Sequence, residues 1–316
     1  MDVRPFAASW IALALLVGCG PAPLGSTGIE MQGRGIVGGE ETTGWPAVVA
    51  YLVDGGDGGL CSATLIGPRT VLTAAHCANA STPSDQVFFG SSLFEPGATI
   101  DVASAVVHDG YNASSGVLDL ALLILDRDAS TDPIALNDER VDGDWIGRSL
   151  HVVGYGNDDV YAGTTAGIKR ETDVELVGIE GHLIYHESDG HNTCSGDSGG
   201  PVLVEQDGGW VLVGVTSFVY PIDPDDDACD GGGGENRVDR SLDWINENSE
   251  IDVDVPDTGD DDDYASDDSY LDESDDRGGC ATTIAGDRQG TGGGAAAMVL
   301  AWVISRRRTV RWRRAR

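Results

Sequence analysis

The chain has 316 residues and a formal net charge of −34. That length allows one sizeable domain with extensions, or two small domains. The acidity argues against nucleic acid as a partner, because phosphate binding needs basic patches. The charge is uneven: carboxylates crowd residues 252–276, arginines crowd 306–316, and Lys169 is the one lysine.

The chain opens on an apolar run from Trp10 to Val17. The run is too short to span a bilayer and fits the core of a secretory signal. Its end, Leu16-Val17-Gly18-Cys19, resembles a bacterial lipobox, which implies cutting before Cys19 and lipid on that cysteine. A plain signal peptide with an incidental cysteine is the alternative. Residues 1–18 are read as the signal and 19–35 as a propeptide. The sequence holds six cysteines. An exported chain can keep disulfides. Two bridges are expected among Cys61, Cys77, Cys194 and Cys229. Cys19 and Cys280 belong to the two ends and are assigned to lipidation or sorting.

Residues 36–250 carry the globular signals. Short β-rich runs recur at Val48–Val53, Thr64–Ile66, Val71–Leu72, Ala121–Leu125, His151–Val153 and Trp210–Val215, separated by Gly, Pro, Asp and Asn. That pattern predicts an all-β sandwich or barrel, not alternating βα units. One late helix is predicted over 241–250, with Ser241 as its N-cap.

From 251 to 279 the chain has too little apolar surface to offset the entropy of ordering, and it reads as a disordered, self-repelling acidic linker. A calcium site is the sharper reading of so many carboxylates, but the spacing and turn glycine of a dedicated loop are missing. Residues 280–316 hold Cys280, a short apolar stretch over 292–305 and a terminal arginine cluster. This order resembles MYXO-CTERM-type sorting tails, in which the hydrophobic end can be removed after anchoring. A short transmembrane helix is the alternative. Both readings end the chain at a membrane, with the arginines on the cytoplasmic side.

The chemistry concentrates in a few places. In Cys194-Ser195-Gly196-Asp197-Ser198-Gly199-Gly200-Pro201, glycines flank a serine and permit a tight turn with close substrate approach. The amides of Gly196 and Ser198 can then converge on one oxyanion. A serine hydroxyl needs an adjacent base, and Thr73-Ala74-Ala75-His76-Cys77 offers one. A buried acid must hold that imidazole in the right tautomer. Asp119 is a carboxylate inside the apolar run Val117–Leu123, a costly placement without a partner.

IVGG, TAAHC, DLALL and GDSGGP, in that order, resemble the signatures of the trypsin/chymotrypsin family of serine endopeptidases. The resemblance covers residues 36–250. It implies two perpendicular six-stranded antiparallel β-barrels with a C-terminal helix, peptide or protein substrates, and no cofactor or metal. It casts Ser198 as nucleophile, His76 as general base and acid, Asp119 as the orienting carboxylate and Ser217 as that carboxylate's support. It pairs Cys61 with Cys77 and Cys194 with Cys229. A lipase or esterase fails on order, since that fold places its serine first. A catalytically silent surface binding module remains the alternative.

The family is cut to free an Ile-Val amine, which pairs with the aspartate before the nucleophile. Ile36 and Asp197 fill those positions. Gly35 is a departure: a cut after Arg34 leaves one extra residue, about 3.3–3.6 Å of chain, so cutting before Ile36 or trimming to it is expected. The pocket-floor position is Asn192, with Val219 and Gly233 on the walls, which disfavours Arg or Lys and implies a taste for small or medium aliphatic residues. Activation would then need a second protease. Location is read as exported, at a bacterial cell surface or outer membrane.

Overall fold

The computed structural model describes residues 36–78, 83–158, 165–188, 190–223 and 227–256. The leader with Cys19 and Gly35, most of the acidic linker and the tail with Cys280 lie outside the described residues. So does the predicted insertion of the C-terminal stretch. Among the described residues no helix is long and apolar enough to cross a membrane.

Among the described residues fourteen strands and two α-helices follow one another. The first half holds β1 (Glu40–Glu41), β2 (Val48–Val53), β3 (Gly59–Leu65), β4 (Thr70–Thr73), α1 (Ala75–Ala78), β5 (Gln86–Phe89), β6 (Ala98–Val107) and β7 (Ala121–Leu125). The second holds β8 (Ala135–Leu136), β9 (Ser149–Gly154), β10 (Arg170–Glu180), β11 (Leu183–Glu187), β12 (Pro201–Gln206), β13 (Gly209–Tyr220), β14 (Gly232–Arg237) and α2 (Leu242–Asn248).

Strands β2-β3-β4-β7-β6-β5 close one antiparallel barrel. A second closes through β9-β10-β11-β14-β13-β12, because β10 pairs with β9 as well as with β11. The expected two six-stranded barrels are thus present. Two short additions extend the second: β1 pairs with the start of β10, and β8 runs parallel to β13. Closure removes the exposed edges that open sheets must protect.

The apolar runs have a physical reason. In β2, Val49 and Tyr51 point into the first barrel, while Val48 and Ala50 join a core shared with the second. In and before β7, Ala121, Leu123 and Leu125 face inward, and Leu120 and Leu122 face the shared core. A strand buried on both faces loses the polar alternation of a half-exposed one. The shared core also takes Val153, Tyr155, Leu203, Leu212 and Val215 from the second barrel and Leu242 and Ile245 from α2. It forms one continuous seam, and the candidate site stands on it.

Helix α2 corrects the sequence reading in part. It is shorter than 241–250, and Ser241 precedes it with φ −128° and ψ 8°. The hydroxyl makes no capping bond; the Ser241 carbonyl instead accepts from Ile245 N–H at 2.9 Å. Ser241 is 2% exposed, so packing of α2 into the seam fixes the helix start without the cap.

Candidate active site

The first barrel supplies His76 and Asp119. His76 sits in α1, directly after β4, and a disulfide ties its neighbour Cys77 to Cys61 in β3. Asp119 lies two residues before β7 and is 2% exposed. Its carboxylate has the partners that its apolar setting demands. Oδ2 lies 2.7 Å from His76 Nδ1 and accepts from Ser217 Oγ at 2.6 Å. Oδ1 accepts from the His76 backbone N–H at 2.8 Å. A carboxylate so placed makes Nδ1 the protonated ring nitrogen and leaves Nε2 as the base. The imidazole is partly open to solvent and borders a cleft of about 370 Å³ with Tyr111, Gly116, Asp119, Ser217 and Phe218.

The second barrel supplies Ser198 and its loop. The Ser198 carbonyl accepts from Ser62 N–H of β3 at 2.9 Å, which brings the serine to the first barrel. No hydrogen bond joins Ser198 Oγ to His76 Nε2 among the described contacts; in free enzymes such bonds are often long and tighten on substrate. Among the described residues the amides of Gly196 and Ser198 find no partner, so both remain available to an incoming oxygen. The second disulfide, Cys194–Cys229, closes the loop before the serine onto the segment ahead of β14.

Asp197 points away from Ser198 into the second barrel. Oδ1 accepts from Gly156 N–H at 2.7 Å and Oδ2 from Cys194 N–H at 2.9 Å. A Cβ on Gly156 would stand 2.5 Å from the carboxylate, so only glycine admits it. Burial pushes the Asp197 carboxyl up to about 7, against the pull of the two amides and of Arg170. Among the described residues no cationic side chain pairs with it. Ile36 is fully buried among Val141, Trp145, Leu150 and Val152, with φ 42°. Asn192 is 1% exposed, and it forms an isolated antiparallel bridge with Val37, donating its N–H to the Val37 carbonyl at 3.1 Å. Val219 and Gly233 are cross-strand partners in β13 and β14, which settles the register of the glycine run.

Three residues that the sequence reading passed over position this set. Ser62 Oγ donates to the Gly196 carbonyl and accepts from Tyr155 N–H, both at 2.9 Å, joining the barrels beside the serine loop. Thr73 Oγ1 donates to the Ser62 carbonyl at 2.9 Å. Asn236 Oδ1 accepts from Asp119 N–H at 3.1 Å, and its Nδ2 donates to the Gly116 carbonyl at 2.8 Å. Their signal in the sequence is faint: each is a small polar residue inside a strand.

Two closed antiparallel barrels, the first carrying His76 and Asp119 and the second Ser198, define the double-barrel serine protease class of fold. The family model described as Trypsin matches residues 36–245, about two thirds of the chain, and the chain belongs to that family. It is 26% identical to the CLIP domain-containing serine protease B4 of Anopheles gambiae over 267 residues, 70% of this chain and 72% of the relative. It is 29% identical to Brachyurin of Leptuca pugilator over 229 residues, 66% of this chain and 96% of the relative. It is also 29% identical to Glucanase inhibitor protein 4 of Phytophthora infestans over 233 residues, 67% of this chain and 88% of the relative.

Proposed function

We propose that the protein is an exported serine endopeptidase, made as a zymogen, that cuts peptide bonds with Ser198, His76 and Asp119. The observation that carries this reading is the Asp119 carboxylate, buried and shared between His76 Nδ1 at 2.7 Å and Ser217 Oγ at 2.6 Å. A carboxylate costs several kcal/mol to bury without partners, so these partners explain its position.

In this reading Ser198 Oγ attacks the scissile carbonyl while His76 Nε2 takes its proton. The resulting imidazolium is stabilised by Asp119, and the oxyanion accepts from the Gly196 and Ser198 amides. His76 then protonates the departing amine, leaving an acyl-serine. Water repeats the sequence in reverse, with His76 again taking a proton. No cofactor takes part.

The zymogen step falls at Ile36. Cutting before it would create an ammonium that supplies the charge missing beside Asp197. The two disulfides fit an exported chain. We assign residues 1–18 to a signal, 19–35 to a propeptide, 251–279 to a stalk and 280–316 to membrane sorting, which tethers the enzyme at a bacterial surface. A second protease is then the activator, with peptides or proteins as substrates.

The test is fluorophosphonate labelling of the full chain before and after limited proteolysis of the leader. Labelling at Ser198 that appears with the new Ile36 terminus supports both the nucleophile and the switch. Ser198→Ala abolishes it, and Asp119→Asn lowers kcat by about 10⁴-fold while labelling persists slowly. Absence of labelling under any processing favours the silent binding module.

A further inference from the structure

A charged pair is buried behind Asn192. His186 of β11 and Glu235 of β14 are both wholly buried. His186 Nδ1 stands 2.6 Å from Glu235 Oε1, and Nε2 stands 2.7 Å from Asn192 Oδ1. Nothing in the catalytic steps uses either residue, and a buried ion pair is costly to keep for stability alone.

The neighbours decide the protonation of the ring. Asn192 Oδ1 accepts from the backbone N–H of Thr193 at 2.8 Å, and Asn192 Nδ2 donates to the Gly232 carbonyl at 3.3 Å. A backbone N–H can only donate and a carbonyl can only accept, so both ends of the amide are identified. His186 Nε2 therefore faces an oxygen and must donate to it. Nδ1 faces a carboxylate and donates as well. A ring with two N–H groups is an imidazolium, with Glu235 as its counterion. Burial works against that charge, and the Glu235 carboxylate, with Asn192 and Glu187, offsets it and raises the pKa of His186 above its ordinary value.

The pair also sits beside the residues that the family resemblance assigns to the specificity pocket. Strand β14 lies between β11 and β13, with Gly233 opposite His186 on one side and Val219 on the other. A Cβ at Gly233 would stand 2.4 Å from His186 Cε1 and 3.0 Å from Glu235 Oε1. The ring and carboxylate thus occupy the volume that a side chain at Gly233 would need. Two groups of this cluster keep polar capacity, Glu235 Oε2, an acceptor with no partner among the described residues, and the amide of Asn192. The Asn192 oxygen already accepts from two donors, and its NH₂ spends one hydrogen on Gly232. The spare group of the amide is one N–H.

We propose that His186 and Glu235 are positioning residues for recognition of P1, the side chain on the acyl side of the cut bond. They pin the Asn192 amide with its oxygen turned to the imidazolium and its N–H offered to the pocket. The substrates selected are those whose P1 side chain ends in an oxygen acceptor, glutamine or glutamate. An aliphatic P1 leaves that N–H unpaired, and a lysine or arginine sets donor against donor beside a cation. This replaces the aliphatic expectation drawn from Val219, and it rests on the endopeptidase reading with Asn192 at the pocket floor.

The experiment uses the activated full chain, with active sites counted by fluorophosphonate, and peptides that differ only at P1. The kcat/KM for glutamine or glutamate should exceed that for methionine, of nearly the same length, by at least about tenfold. Glu235→Gln removes the counterion, and the advantage over methionine should fall by about tenfold while the count of labelled sites holds. Asn192→Asp should turn the preference to lysine and arginine, a gain that a misfolded variant could not give. A labelled enzyme that prefers methionine or leucine overturns the proposal. So does one that prefers lysine or arginine, which would make the unpaired Glu235 Oε2 the reader. An enzyme that never labels sinks the endopeptidase reading, and this inference with it.

Discussion

Asp197 carries a charge problem that the sequence could raise but not size. In the intact chain its carboxyl sits at about 7 because it is buried, against the pull of two amides and of Arg170, and no cationic side chain pairs with it among the described residues. The unfolded carboxyl titrates at its model value, 3.8. A raised folded pKa means that the native state holds a proton that the unfolded state has lost. Stability is then fully present below the unfolded pKa and falls as pH rises toward the folded one. The loss is on the order of 4 kcal/mol. Once cut, the Ile36 ammonium would pair with the carboxylate and remove that slope. Urea midpoints for the intact and cut chains at pH about 4.5 and about 8 should therefore diverge, the intact chain losing more. Parallel curves would mean that Ile36 does not reach Asp197. His186 and Glu235 tell the opposite story, because nothing in their sequence surroundings pointed to a site. Their partnership spans 49 residues and two strands.

Elements bring these residues together through short rigid connections. Helix α1 is only four residues long, so it cannot hold His76 by helix stability alone. The Cys61–Cys77 bridge, spanning 16 residues, clamps it to β3. Replacing both cysteines with serine should cost about 2–4 kcal/mol, read from denaturant midpoints, and should lower kcat more than it raises KM, because the base is displaced. An unchanged midpoint would mean that packing alone secures the helix. Strands were legible where apolar side chains ran together, as in β2 and β7. They were not legible in β14, whose GGGENR lacks β-branched residues. Its ladder bonds to β11 and β13 on both sides make it a strand, and that is a tertiary cause.

At the scale of the molecule, the seam between barrels is the structural unit. Its shared core runs from β2 to α2, and the chain after α2 returns to the first barrel. Glu250 accepts from Thr70 Oγ1 at 2.7 Å and from Arg69 N–H at 3.2 Å, and Ile251 and Val253 pack on the seam. Ending the chain at Asn248 should remove about 1–3 kcal/mol of burial and hydrogen bonding. A thermal melt would register it as a drop of roughly 2–12 °C, and an unchanged melt would show the return segment to be idle.

The sequence by itself determined the class of fold and put forward the residues proposed as the chemical set. Short β-rich runs with turn residues between them predicted sheet, and an aspartate in an apolar run demanded partners, which it has in His76 and Ser217. The sequence also placed Ser217 behind Asp119. What only the tertiary structure decided depends on who meets whom across the seam and across strands. Ser62 and Asn236 acquire their roles from backbone groups 134 and 117 residues away, and Thr73 from one 11 residues away on the neighbouring strand. The glycine run acquires its register from β11 and β13, and the charge on His186 follows from an amide and a carboxylate that local sequence does not place beside it. Local pattern fixes what a residue can do; the partner that long-range packing supplies fixes what it does.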